Sequence, residues 1–200
     1  MVVDLIGPLP ESLNNMKHIL MIQEVFSKVV VAIPIADKSE ANFKLQHWMN
    51  QFINITNNKI KILQSNNGTE FKNHTLEQFL VSKGIIHEFS MPYEHHQNGR
   101  IKRTNRTISK MARTMLNASK LPPFLWPWAY RHAVWIFNQS LHTNDDKTPF
   151  ELLGGKKLSL DLLQVFGATS FVYNHNFKKD LSAGEITGYH LGIAEDSKGW

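Results

Sequence analysis

Seven basic side chains lie between Gly99 and Leu121 (Arg100, Lys102, Arg103, Arg106, Lys110, Arg113 and Lys120), with no acidic residue among them. Lys102, Arg106, Lys110 and Arg113 are separated by four, four and three residues, which on a helix sets them along one face. Ile101, Ile108, Met111, Met115 and Leu116 fall mainly on another face and are expected to pack inward. A cationic stripe without acidic partners suits a polyanion, phosphate above all, better than a solvated network of ion pairs. The whole chain carries +5; taking these seven charges away leaves −2 for the remainder, so the basicity is local. A second group of residues has the oxygen and nitrogen donors of metal chemistry. Asp4 follows two valines, an Asn66-Asn67-Gly68 turn is trailed by Glu70, and Glu94, His95 and His96 share a polar loop. Taken alone, Asp4 reads as a strand-end residue and the two histidines as polar loop residues.

The elements that must position these residues alternate in type. MVVDLIGPLP reads as a strand ended by Gly7 and Pro8, and His18–Ile22 with Lys28–Ile35 as two more strands of an antiparallel meander. Apolar residues from Lys38 to Ile55 follow a helical period, with Asp37 or Ser39 as N-cap. Lys59–Leu63 alternates as a short strand leading to Asn66. Phe71 to Lys83 reads as a helix closed by Gly84, and Ile85–Phe89 as the next strand. Ser90 to Asn98 is a loop. Helices are expected from Gly99 to Ala118 and from Pro122 to about Leu141, the second rich in aromatics. Phe124, Trp126, Trp128, Tyr130, Trp135 and Phe137 are too densely spaced for one face and are read as core plus a subunit contact. Such an order implies an α/β fold, a mixed sheet covered by helices. The composition changes beyond Thr143, dividing the chain into a domain at 1–143 and a shorter extension at 144–200.

Composition narrows the class. With 42% hydrophobic and 20% charged residues in 200, the chain can build a core of ordinary domain size. The absence of cysteine removes disulfides and Cys-containing zinc sites. No apolar run approaches a membrane span and no signal peptide opens the sequence, so an intracellular protein without a membrane partner is the expectation.

The motifs carry a resemblance. Asp4 in D-L-I-G-P, N-G-T-E-F, K-G-I, P-Y, Q-N-G, R-T-N-R-T-I and L-P-P-F-L-W follow one another in a single order. This ordered set resembles the integrase catalytic core of copia-type (Pseudoviridae) LTR retrotransposons, within the ribonuclease H-like, retroviral integrase superfamily. The likeness covers roughly Val2 to Leu141 and, more weakly, Lys147 to Trp200. It implies a mixed five-stranded sheet whose first three strands are antiparallel, flanked by helices, with a short C-terminal extension. It also implies three carboxylates holding two Mg²⁺ or Mn²⁺ ions for phosphoryl transfer on DNA. In the family the motifs usually read S-D-N-G-x-E-F and P-Y-x-x-x-Q-N-G-x-x-E-R-x-N-R-T. Here Asp4 matches the first aspartate, Asn66 stands in place of the second, and Lys102 in place of the glutamate. Thirty-five residues lie between Asn66 and Lys102, the family spacing.

These departures change the chemistry that the resemblance implies. Asn66 offers a carbonyl oxygen without charge, and Lys102 offers donors and a positive charge. The formal charge of the triad goes from −3 to 0, so Asp4 alone is too weak a metal ligand and no tightly bound ion is expected. Glu70 belongs to the family's own motif and Glu94 stands at a usually neutral position, so neither is read as a replacement. The reading is an inactive integrase core, a pseudoenzyme with residual, sequence-independent DNA binding. Tyr93, Asn98, Lys102, Arg106, Lys110 and Arg113 are its nucleic-acid contacts, and homo-oligomers in the nucleus or cytoplasm of a eukaryotic host are implied. Two alternatives stay open: an active polynucleotidyl transferase with a rearranged carboxylate set, and a co-opted protein-interaction module. Both replacements can each arise from one G→A change at a first codon position. With no zinc-binding His-His-Cys-Cys module in the sequence and a tail that stops within an element, this favours a decayed element or a fragment of one.

Overall fold

In the computed structural model the described residues are 1–90, 99–142, 145–156, 163–173 and 185–192. The first three strands, β1 (Val2–Ile6), β2 (His18–Gln23) and β3 (Val30–Ile35), pair antiparallel as the expected meander. Helix α1 (Glu40–Thr56) follows, then β4 (Ile62–Ser65), α2 (His74–Ser82) and β5 (Ile86–Phe89). β4 lies parallel to β1 and β5 parallel to β4, giving one mixed five-stranded sheet in the order β3-β2-β1-β4-β5. Helices α3 (Gly99–Ser119) and α4 (Trp126–Gln139) come next, joined through a 3₁₀ turn at Pro123–Leu125. A short helix α5 (Pro149–Leu152) and a hairpin of β6 (Thr169–Tyr173) with β7 (Glu185–Tyr189) complete the described chain.

The alternation of strand side chains explains the layers. β2 is buried on both faces. Its Leu20 and Ile22 join Val3, Leu63 and the inner stripes of α1 (Ala41, Leu45, Met49, Phe52) and α2 (Leu76, Leu80) in one core. Its Ile19 and Met21 join Val2 and the inner stripes of α3 and α4 in a second core on the opposite face. The apolar positions of α1 recur at four, four and three residues, so one face of the helix meets the sheet. Each fully buried aliphatic side chain in these layers is worth roughly 1.5–3 kcal/mol of transfer free energy.

Element boundaries moved where side chains intervene. α2 starts at His74 rather than Phe71, because the Asn73 side chain accepts from the Leu76 N–H at 2.9 Å and caps the helix there. Phe71 is nonetheless buried, held in the turn before the cap. The fourth strand runs Ile62–Ser65 instead of Lys59–Leu63, since it is this stretch that pairs with Ile86–Phe89. Ser39 does occupy the N-cap position of α1, but its side chain makes no capping bond there. The stretch from Pro122 opens with the 3₁₀ turn, and α4 proper begins at Trp126 with Pro127 in its first turn. β1 is terminated at Gly7, whose φ of +134° only glycine holds easily, and where a Cβ would overlap the His18 ring and the Lys17 carbonyl. The boundary at 143–144 falls on residues outside those described.

Candidate functional site

Asp4 sits in the middle of β1 opposite Met21, on the sheet face covered by α3 and α4. One carboxylate oxygen, Oδ2, accepts from the Asn105 side-chain amide at 2.9 Å, and Oδ1 accepts from the Leu5 N–H at 3.0 Å. Burial is the strongest influence on this carboxyl and raises its pKa; the Leu5 N–H, the Lys102 ammonium and the Asn105 amide pull the other way, while Glu70 adds to the rise. Lys102 on α3 and Glu70 after β4 are thus within electrostatic reach of Asp4. α3 delivers both Lys102 and Asn105 because they are three residues apart on one helix that packs against β1.

Asn66 follows the last residue of β4. Its Oδ1 accepts from the Gly68 N–H at 2.9 Å, closing a tight turn on itself, and the Ser65 hydroxyl donates to its carbonyl at 3.0 Å. The Glu70 carboxylate folds back over this turn, filling the place a Cβ on Gly68 would need. Asn67 crosses to the next strand end, its amide donating to the Ser90 carbonyl at 3.1 Å. Beneath, the Ser65 hydroxyl and His87 Nε2 are 2.8 Å apart, and burial, outweighing the influence of Glu77, lowers the pKa of that imidazole. Among the described residues no group of three or more histidine or acidic side chains is arranged to hold a metal ion.

The cationic stripe is placed as its spacing implied. Lys102, Arg106, Lys110 and Arg113 are all exposed along α3, with Arg100 and Arg103 beside them. Ile101, Ile108 and Ala112 are buried against the sheet and α4, and Met111, Met115 and Leu116 are half-buried at the flank. The first turn of α3 carries no acidic residue, so the positive end of the helix dipole adds to Arg100, Lys102 and Arg103. Arg100 also ties the tip of the β2–β3 turn, donating to the Val25 carbonyl at 3.0 Å. Of the α4 aromatics, Trp126 and Tyr130 are core, the Tyr130 hydroxyl donating to Ser109 on α3 at 2.9 Å. Phe124 remains 40% exposed. Tyr93, Asn98, Glu94, His95 and His96 lie outside the described residues.

Asn105 is the residue that the reading of the sequence passed over. It lies within the R-T-N-R-T-I motif, and a signal was there: Ile101, Asn105, Ile108 and Ala112 recur at four, three and four, so a polar side chain occupies an inward-facing slot. An inward amide needs partners: Asp4 accepts from its Nδ2, while its buried Oδ1 has no hydrogen-bond partner among the described residues.

No family model matches the chain. It is 29% identical over 172 residues to the retrovirus-related Pol polyprotein from transposon TNT 1-94 of Nicotiana tabacum; the match covers 85% of this chain and 13% of the polyprotein. Its fold is similar to that of a chain in the structure of the simian T-cell lymphotropic virus intasome in complex with PP2A regulatory subunit B56 gamma. There the TM-score is 0.63 at 19% identity, covering 94% of this chain and 66% of the other. The chain therefore spans a small part of the curated relative and about two thirds of the solved one. The fold is the ribonuclease H-like one that the resemblance implied, and no helix among the described residues is long and apolar enough to cross a membrane.

Proposed function

We propose that this chain, an integrase-like relative of copia-type transposon Pol polyproteins, is a catalytically silent integrase core that holds duplex DNA weakly by its phosphates. The observation that carries the first half is the company Asp4 keeps. A two-ion centre needs several anionic oxygens directed at one point, because the two ions repel each other. Here one carboxylate oxygen takes an amide N–H from Asn105, the Asn66 oxygen is spent on Gly68, and the remaining family position holds an ammonium. This donor set does not fit two divalent ions. Glu70 is the acidic side chain acting on Asp4, and two carboxylates facing an ammonium leave one net negative charge, too little for two ions.

The second half rests on α3. Its exposed cations lie on the same side of the sheet as Asp4 and continue the positive helix end outward. Phosphate contacts of this kind confer affinity without reading sequence. An intasome among the structural neighbours supports extending the reading to an assembly on nucleic acid.

Restoring the lost charges tests the reading. Asn66→Asp with Lys102→Glu returns two carboxylates to the site, and the gain is expected only in the double variant. Either single change leaves an ammonium or a neutral ligand beside the ions, so the effects are strongly non-additive. If the restored site binds Mn²⁺ with a Kd near 1 mM, 10 mM Mn²⁺ stabilises the fold by about 1.4 kcal/mol, from RT ln(1 + [L]/Kd). For a domain of this size that raises the melting temperature by roughly 3–6 °C. The unaltered chain should show no such shift. A Mn²⁺-dependent shift in the unaltered chain, lost in Asp4→Asn, would overturn the reading.

A further inference from the structure

Two histidines meet where the C-terminal hairpin touches α4. His132 is 3% exposed and His190 5% exposed, with ring centroids 5.7 Å apart in a T-shaped contact. Phe166, just before the hairpin, packs on the same ring at 5.7 Å, and Trp135 stacks on it from its own helix at 6.2 Å. His132 Nδ1 has no hydrogen-bond partner among the described residues. The hairpin end is itself tied at this point: the Gly167 N–H donates to the His190 carbonyl, and the His190 N–H to the Ala168 carbonyl. Gly167 has a φ of +80° and lies against Ser119 at the end of α3, so close that a Cβ there would overlap it.

From this geometry we infer that the His132–His190 contact is a pH-sensitive latch, holding the segment around β6 and β7 on α4 when both rings are neutral and releasing it when they are protonated. Among the described residues, His132 meets one titratable ring, His190, the uncharged rings of Phe166 and Trp135, and the backbone of Gly192, while Gly167 lies against the uncharged Ser119 and Leu121. Burial, with the neighbouring His190 second, lowers the pKa of His132 from the ordinary 6.5 to about 4, and burial lowers that of His190 too. Both groups are depressed bases, so the released state takes up protons that the docked state refuses. Docking is therefore at full strength above pH 6.5 and is lost as pH falls from there toward 4. From His132 alone, the ratio of docked to released molecules falls about 20-fold between pH 7 and pH 5.

Hydrogen exchange on the full chain, corrected for the pH dependence of intrinsic exchange, tests this at pH 7.0 and 5.0. Amides of 167–171 and 187–190 should lose protection by about 20-fold at pH 5.0, while those of β1 and β2 keep theirs. His132→Phe, neutral and aromatic, should remove most of that pH dependence. Three results would overturn the proposal: hairpin protection that does not change with pH, equal loss in β2 (which would mean global acid unfolding), or a folded His132→Phe chain with the full pH loss. Should His132→Phe not fold, His190→Phe is judged in its place, and the first two results stand on the unaltered chain alone.

Discussion

Arg106→Ala with Lys110→Ala tests the phosphate stripe directly. Both side chains are exposed on α3, so the double variant should fold with its stability changed by no more than about 0.5 kcal/mol per site. Lys102 to Arg113 is eleven residues, or about 17 Å of helix at 1.5 Å per residue, a length over which a duplex offers several phosphates. If the four stripe cations each neutralise one phosphate, the log–log slope of affinity against salt is about −3.6, at roughly −0.9 per contact. Between 50 and 200 mM salt the unaltered chain should then lose about 150-fold in affinity. With two contacts removed, the slope falls to about −1.8 and the loss to about 12-fold. Fluorescence anisotropy on two unrelated duplexes of equal length, at three salt concentrations, reads both numbers. The variant should weaken binding to both duplexes alike, and a control pair on the other side of the sheet, Lys38→Ala with Lys59→Ala, should not. An unchanged slope would mean that the stripe is a solvated face. Unequal losses on the two duplexes would mean that it reads bases.

The remaining predictions concern stability. Asp4→Asn should stabilise the chain at neutral pH: burial raises the carboxyl's folded pKa, so the charged form is a cost above that pKa and disappears below the unfolded value of 3.8. Urea midpoints should rise for Asp4→Asn at pH 7 and coincide with those of the unaltered chain at pH 3; a lower midpoint at pH 7 would show that Lys102 and Asn105 more than offset the burial. Leu45→Ala, at a fully buried position between α1 and the sheet, should cost about 2–5 kcal/mol, and a loss under about 1 kcal/mol would mean that this layer is not the core.

Much of the architecture was legible because its periods are clean. The meander from His18 to Ile35 is two β-rich apolar runs parted by a polar turn, and the basic and apolar faces of α3 separate at helical spacing, so both were read from pattern alone. The start of α2 was not legible, because Phe71 is apolar and fits the helical period while being held by a turn; the Asn73 cap decides the boundary, and a cap is visible only once its side-chain bond is known. Asn66 was readable as a turn residue and Lys102 as a helix residue, but nothing local in either says that the strand before Asn66 runs beside that of Asp4 or that Lys102 comes within electrostatic reach of Asp4. These depend on the parallel placement of β4 beside β1 and on the packing of α3, which are long-range facts. The His132–His190 contact was hidden for the same reason: 58 positions separate two histidines that sequence alone would leave on unrelated elements.

If the site is the silent one proposed, a sound fold around it has a physical cause. Three carboxylates gathered at one point, with no ion between them, repel one another and raise each other's pKa, so a family site of that kind depends on metal for part of its stability. The amide and ammonium at positions 66 and 102 remove that repulsion, and Asn105 satisfies the carboxylate that is left. On the proposed reading, the same replacements that would silence the chemistry make the metal-free fold easier to keep. It also introduces a cost elsewhere, because Lys102 stands in the first turn of α3, where the helix dipole is already positive and no acidic residue offsets it. Asp4 offsets part of this charge within the chain, but Arg100, Arg103 and Arg106 are exposed to solvent. What remains is a charge that the proposed phosphate contacts would relieve. On this argument DNA binding and the lysine at position 102 are linked: the Lys102→Glu change that begins to rebuild a metal site should also weaken phosphate binding, by reversing a charge at the end of the stripe nearest Asp4.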